Sequence, residues 1–294
     1  MFGGSIVALV TPMHEVGSLD LEALGRLVEF HIEAGTSAIV ISGTTGESPC
    51  LTPVELDTLL RAALEAAAGR IQVIGGSGSN STSRTIELTA TVRDAGAEAA
   101  LVVTPYYNKP TQQGLFLHYQ AVARASGLPL ILYNVPGRTA CDLQPETVAR
   151  LAEVPGIVAI KEAVPGTERV LRFRELLDDA LDLLSGDDAT AMPFLFAGGD
   201  GLISVTANVA PRLMHGLCEA ARQGESRKAE ALNERLDALH RALFVEPNPI
   251  PVKWALMQMG LIESGIRLPL TPLEARHHEE VRAAMDRAGV EYRS

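Results

Sequence analysis

Short apolar runs alternate with amphipathic stretches over about two thirds of the chain. Ser5–Val10, Ser37–Ile41, Ile71–Ile74, Ala99–Val103, Leu130–Tyr133, Val158–Lys161, Asp182–Ser185 and Gly201–Ser204 read as buried strands, each four to six residues long with an apolar centre. Between the first two, Leu21, Leu24, Leu27, Val28 and Ile32 recur at spacings of three, one and four, which marks one face of a helix. Thr52-Pro53 opens a helix over Val54–Ala67, and Asn80 or Ser81 caps one over Thr85–Asp94. Eight such βα alternations without a long interruption predict an α/β protein, a closed (β/α)8 TIM barrel rather than an open doubly wound sheet. After Pro211 the strand pattern stops, and Arg212–Arg222, Ser226–Phe244, Pro251–Met259 and Pro272–Ala288 read as helices. The first completes the eighth unit. Residues 1–224 then form the barrel and 225–294 a C-terminal helical extension packed on it, because its apolar stripes need a partner surface.

Two strands end abruptly in reactive groups. Leu132-Tyr133-Asn134-Val135-Pro136-Gly137-Arg138 follows the apolar run from Pro129, and Val158-Ala159-Ile160-Lys161-Glu162-Ala163 continues the run from Gly156. Tyr133 and Lys161 thus stand at the C-terminal ends of consecutive strands, on the rim where a parallel barrel carries its chemistry. Burial disfavours an ammonium and favours the free amine, which attacks carbonyl carbon. An isolated Ile-Lys-Glu has a plainer reading, a buried lysine paired with the adjacent Glu162. The tyrosine one strand earlier favours the nucleophile.

Other rim loops carry further candidates. Ser42-Gly43-Thr44-Thr45-Gly46-Glu47-Ser48 sets two threonines between two glycines, a sequence able to turn tightly and aim backbone N–H groups at one anion. An ordinary capped Gly/Thr turn fits it equally. Thr104-Pro105-Tyr106-Tyr107-Asn108 offers two phenols that suit core caps, an interface or a site. Arg138, five residues beyond Tyr133, suits bidentate capture of a carboxylate. Gly186-Asp187-Asp188 lacks an accompanying histidine cluster, so a helix N-cap is a better reading than a metal site. Gly75-Gly76-Ser77-Gly78 is a βα turn rather than GxGxxG, and His277-His278 reads as a solvated helix face. No HExxH, GxSxG or Walker A motif occurs, so neither a metal nor a nucleotide cofactor is expected.

A formal charge of −11 argues against a nucleic-acid partner but leaves room for a small anion held by a local arginine. No apolar window reaches 18 residues, so no membrane span is expected. Ile6–Val10 lacks a charged flank, the first lysine or arginine being Arg26, which argues against a secretory leader. Cys50, Cys141 and Cys218 are scattered and odd in number, as expected of reduced thiols in a cytoplasmic protein.

Together, Gly43-Thr44-Thr45-Gly46-Glu47, Tyr106-Tyr107, Tyr133-Asn134-Val135-Pro136-Gly137-Arg138, Lys161-Glu162-Ala163, Ser185-Gly186-Asp187-Asp188 and Asn248-Pro249-Ile250-Pro251-Val252-Lys253 resemble the dihydrodipicolinate synthases, from Ser5 to about Pro272. One departure is Glu162-Ala163-Val164-Pro165-Gly166, where the family pattern has Glu-Ala-Thr-Gly; it bears on the loop's shape rather than the chemistry. The resemblance implies a cofactor-free condensation of pyruvate with L-aspartate 4-semialdehyde to 4-hydroxy-tetrahydrodipicolinate, the first committed step of diaminopimelate and L-lysine biosynthesis. It implies that Lys161 forms a Schiff base and that Thr44, Tyr107 and Tyr133 relay protons, Tyr133 nearest the imine. A phenol alone is a weak general base near neutral pH, which is a physical reason for chaining hydroxyls. Thr45 and the backbone at Gly186 and Ile203 would fix pyruvate, and Arg138 would hold the semialdehyde carboxylate.

By the same resemblance, Tyr107 serves the neighbouring subunit's site across a tight dimer interface, in a homotetramer built as a dimer of dimers. Some members of the family are inhibited by L-lysine at an interfacial pocket. Ser48, Asn80 and Tyr106 match that pocket, but Pro49, Pro53, Leu56 and Arg84 replace its acceptors, so the allosteric lysine site is expected to be degenerate. Two rival readings remain. An N-acetylneuraminate or keto-sugar-acid lyase would share the lysine and tyrosine but has less use for Arg138. A catalytically silent metabolite-binding barrel would not need the full Lys/Tyr/Thr/Arg set.

Overall fold

In the computed structural model, which describes residues 2–292, eight parallel strands close a barrel in sequence order, with β8 returning to β1. The order is β1 (Gly4–Ala8), α1 (Leu21–Glu33), β2 (Ala38–Ile41), α2 (Pro53–Ala67), β3 (Gln72–Gly76), α3 (Thr82–Ala95), β4 (Ala99–Val103), α4 (Gln112–Ser126), β5 (Leu130–Asn134), α5 (Pro136–Thr139), α6 (Pro145–Ala152), β6 (Ile157–Glu162), α7 (Glu168–Leu177), β7 (Asp182–Ser185), α8 (Ala191–Phe196), β8 (Gly201–Ser204), α9 (Pro211–Arg222), α10 (Ser226–Ala242), α11 (Ile250–Gln258) and α12 (His278–Ala288). The (β/α)8 reading of the sequence is the fold observed.

Strand side chains alternate between the two faces of the sheet, and here both faces are buried. Ile6, Ala8, Val40, Leu101, Ile131, Tyr133, Ala159 and Ile203 pack inside the barrel. Val7, Ile39, Val73, Leu132, Ile160 and Leu183 face outward, under Leu24, Leu60, Phe173 and Leu217 of the helices. That is why the strands read as continuous apolar runs rather than alternating ones.

Helix ends follow local chemistry where a cap is present. Thr52 closes a capping box with Glu55 ahead of α2. Ser81, not Asn80, caps α3 by accepting from Arg84 N, so that helix starts at Thr82, earlier than expected. The last helix starts later than expected. Residues 271–274 are irregular, Ala275–His277 form a 3-10 turn, and α12 begins at His278 instead of Pro272. Tertiary contacts win there: Glu274 N donates to Glu246 Oε1 (3.1 Å) and His278 Nε2 to Leu273 O (3.1 Å). His278 also stacks on Trp254 with ring centroids 4.6 Å apart, so His277-His278 is not a solvated face.

The extension packs on the barrel's α9 through α10, and α12 packs in turn on α10. Leu236, Leu239 and Ala242 of α10 join the cluster between sheet and helices, so this segment shares the barrel's outer core rather than building its own. Among the described residues no helix is long and apolar enough to cross a membrane.

Candidate active site

The register of β5 and β6 sets Tyr133 opposite Lys161 and Asn134 opposite Glu162. Tyr133 and Lys161 point into the barrel. Lys161 is only 5% exposed, and its Nζ lies 4.2 Å from the centroid of the Tyr133 ring, over a face that attracts a cation. Among the described residues Nζ has no hydrogen-bond or ion-pair partner, yet it is not one of the side-chain atoms sealed from solvent. Glu162 points the opposite way, beneath the helices, where Asn134 Nδ2 lies 3.0 Å from both carboxylate oxygens and Val164 N donates to Oε1 at 2.8 Å. The Lys161–Glu162 pair allowed by the sequence is therefore absent: neighbours on one strand face opposite sides of the sheet.

Beside this pair lies a cavity of about 400 Å³. Thr44, Tyr133, Val135, Arg138 and Thr139 line it, together with Ser48, Pro49, Leu56, Arg84, Leu88 and Tyr106. Arg138 sits on the single turn of α5 that Pro136 begins immediately beyond β5. It is exposed, and its guanidinium has no partner among the described residues, which leaves the fork open for a carboxylate.

The β2–α2 loop is not the simple anion cradle its glycines allowed. The N–H groups of Gly46, Glu47 and Ser48 donate back to Gly43 O and Thr44 O. Its left-handed positions are Ser42 (φ 59°) and Glu47 (φ 57°). Gly46 is needed for close approach instead: a Cβ there would lie 3.1 Å from Ser42 N and 3.2 Å from Leu9 O. Thr44 reaches the cavity, whereas Thr45 is buried behind it and accepts from Asn248 Nδ2 at 3.0 Å. Glu47, also buried, receives Lys253 Nζ at 2.5 Å and Arg267 N at 3.0 Å. Burial pulls the Lys253 ammonium below its usual range while the Glu47 carboxylate holds it up.

The C-terminal segment thus fastens the threonine loop from behind. Sequence reasoning named these residues only within motifs and missed this role. The available signal was a lysine in an apolar setting at Lys253, but 206 residues separate it from Glu47 and no spacing rule joins them.

Gly186 packs against the lysine: an added Cβ would lie 3.0 Å from Lys161 Cε and 2.8 Å from Ala163 Cβ. Its N–H already donates to Glu162 O (2.6 Å), so its carbonyl is the backbone group it can offer a ligand. Ile203 is buried on β8 with the inner side chains. The aspartates divide their work beyond a plain N-cap. Asp187 Oδ2 accepts from Thr190 N and Oγ1 ahead of α8, while Asp188 Oδ2 accepts from Val205 N and Thr206 N just after β8. Tyr107 stands apart, 87% exposed at φ 74°, and no hydrogen bond links Thr44, Tyr107 and Tyr133 within the described chain. Asn80 is not in the cavity wall; its carbonyl accepts from Asn108 Nδ2 at 2.8 Å.

Comparison with known proteins agrees with this geometry along the whole chain. Residues 1–288 match the model of the dihydrodipicolinate synthetase family. The 4-hydroxy-tetrahydrodipicolinate synthase of Methylococcus capsulatus is 60% identical over 290 residues, 99% of this chain and 100% of that one. Its counterpart from Nitrosococcus oceani is 58% identical over 285 residues, covering 97% and 98%. Among solved structures, a dihydrodipicolinate synthase from Acinetobacter baumannii, complexed with pyruvate, aligns with a TM-score of 0.97 at 50% identity, covering 99% of this chain and 100% of that one. By fold, by rim residues and by similarity over nearly its full length, the chain belongs to the dihydrodipicolinate synthetase family.

Proposed function

We propose that this protein is a lyase that condenses pyruvate with L-aspartate 4-semialdehyde, giving 4-hydroxy-tetrahydrodipicolinate for diaminopimelate and L-lysine biosynthesis. The observation that carries the reading is Lys161, without a polar partner among the described residues and set against Tyr133, beside a cavity in which Arg138 is open to a carboxylate. The Lys161 Nζ lone pair adds to the pyruvate ketone carbon, and loss of water leaves an imine. The imine nitrogen withdraws electrons, a methyl proton leaves, and the resulting enamine carbon bonds to the aldehyde carbon. The amine of that second substrate then attacks the imine carbon, displaces Lys161 and closes the ring. Tyr133 donates and accepts protons at the imine, with Thr44 next in the relay. The main chain at Thr45, Gly186 and Ile203 holds pyruvate, since the Thr45 side chain is turned back to Asn248, and Arg138 holds the semialdehyde carboxylate.

The test is sequential. Pyruvate followed by borohydride should leave a mass adduct, and the unreduced enzyme should consume the semialdehyde. An adduct without semialdehyde turnover would favour a sugar-acid lyase; no adduct would favour a silent barrel.

Tyr107 completes the relay of a neighbouring copy in a homotetramer, a dimer of dimers in the cytoplasm. Its exposure and left-handed backbone, held by Thr139 O accepting from Tyr107 N at 3.3 Å, support this. The free thiols of Cys50, Cys141 and Cys218 suit a reducing compartment. Sedimentation that finds only monomer at assay concentration would overturn the shared site.

L-lysine is expected to be a poor inhibitor. Ser48 and Tyr106 line the cavity, but no described lining residue is an aspartate or glutamate, and Arg84 stands in the wall paired with Glu87 at 2.9 Å. Glu47, the nearest alternative acceptor in the loop, is committed to Lys253 and Arg267 N. An ammonium entering this cleft meets Pro49, Leu56 and the Arg84 guanidinium, with hydroxyls but no lining carboxylate to replace its lost water. Millimolar L-lysine at saturating pyruvate should leave the steady-state rate nearly unchanged. Strong partial inhibition would contradict the reading.

A further inference from the structure

Glu162 is a buried carboxylate that the proposed chemistry does not use, and it stands directly behind the residues that chemistry does use. Its main-chain oxygen accepts from Gly186 N at 2.6 Å. Its side chain accepts from Asn134 Nδ2, 3.0 Å from each oxygen, and from Val164 N at 2.8 Å. Asn134 is itself held on every side: Oδ1 accepts from Leu143 N at 2.9 Å, and Nδ2 also donates to Asp142 Oδ1 at 2.9 Å. These bonds tie the pair Asn134–Glu162, one step beyond the facing pair Tyr133–Lys161. We propose, building on the assignment of Lys161 as the Schiff-base lysine, that Glu162 is a positioning residue: from the outer face of the sheet it keeps Lys161 Nζ against Tyr133 and Gly186 against the lysine side chain.

This grip requires the carboxylate. Ionised, Glu162 only accepts and suits all the N–H groups aimed at it; protonated, it carries a donor among donors and must release one. Burial pushes Glu162 up to about 7, against the pull of Val164 N, Asn134 and Arg169, with Asp142 pushing further up. The charged groups that face it are Arg169 of α7 and Asp142 from the segment after α5, and these two form an ion pair with each other. Lys161 lies on the other face of the sheet. Since the group is raised towards neutrality, its ionised form dominates above about pH 7 and the grip is lost as pH falls through that value.

The test is the pH dependence of kcat in the intact enzyme, with KM followed for both substrates. The wild type should lose kcat as pH falls through about 7. Glu162→Gln sets an amide N–H against the same donors at every pH. It should erase that limb and lower kcat at alkaline pH by about ten- to a hundredfold, the scale of a misplacement of about 1 Å, with little change in KM for the semialdehyde. Asp142→Asn removes the neighbouring carboxylate and releases Arg169, so it should move the limb to lower pH.

Wild-type kcat and profile in Glu162→Gln, or a limb unmoved in Asp142→Asn, would overturn the proposal; if Glu162→Gln does not fold, Asp142→Asn decides it. Pyruvate trapping on the wild type separates the role of Lys161 from that of Glu162. No adduct on Lys161 counts against the Schiff-base reading, whereas a normal adduct with an unaffected Glu162→Gln counts against Glu162 alone.

Discussion

Borohydride reduction in the presence of pyruvate is expected to fix the ketoacid on Lys161, and Lys161→Ala is expected to abolish both the adduct and turnover. The chain has four lysines, and the other three are unsuited. Lys253 is locked to Glu47 in a buried pair, Lys228 is paired with Glu225 at the surface (2.8 Å), and Lys109 is exposed on the loop after β4. Removing a covalent nucleophile leaves no alternative first step, so turnover should fall by about 10⁶-fold. Peptide mapping of the reduced protein decides the assignment: an adduct on a different lysine in Lys161→Ala would sink it.

Arg138→Ala provides the contrast in the same assay. It should still trap pyruvate while binding the semialdehyde roughly tenfold to over a hundredfold more weakly, the equivalent of about 1.5–3 kcal/mol for a charge-assisted contact. Equal loss of both steps would mean that Arg138 acts on pyruvate or on the structure.

Lys253→Met should be the most destabilising single change at the back of the site. It leaves the Glu47 carboxylate buried with Arg267 N as its one donor among the described residues, and breaking a buried pair from one side costs about 3–5 kcal/mol. Adding Glu47→Gln removes the stranded charge, so the double variant should recover part of that loss. Thermal unfolding of the two variants measures both. A cost below about 1 kcal/mol for Lys253→Met, the range of an exposed pair, would show that the contact holds nothing. Pyruvate KM should rise as well, since Glu47 anchors the loop bearing Thr44 and Thr45.

Hydrophobic periodicity determined the barrel, because eight strands buried on both faces leave eight continuous apolar runs. It also located Tyr133 and Lys161 on the rim, since a strand ending in a polar group in a parallel barrel ends at the catalytic face. Caps with a local partner, such as Thr52 with Glu55, were legible for the same reason: all their contacts lie within one turn.

What escaped the sequence were contacts between distant segments. The start of α12 was misplaced because Glu246 and Leu273 hold residues that Pro272 alone would have made helical. The threonine loop allowed an anion nest and an ordinary turn equally, and the N–H groups of Gly46, Glu47 and Ser48 close back on Gly43 and Thr44 as a turn does. Which way Glu162 points was decided by the pleat together with Asn134, and what holds Glu47 was decided by a helix that follows it by 206 residues. Periodicity reports which residues must leave water; it does not report which buried charge finds which partner, because desolvated polar groups are satisfied by whatever donor the completed fold brings within reach.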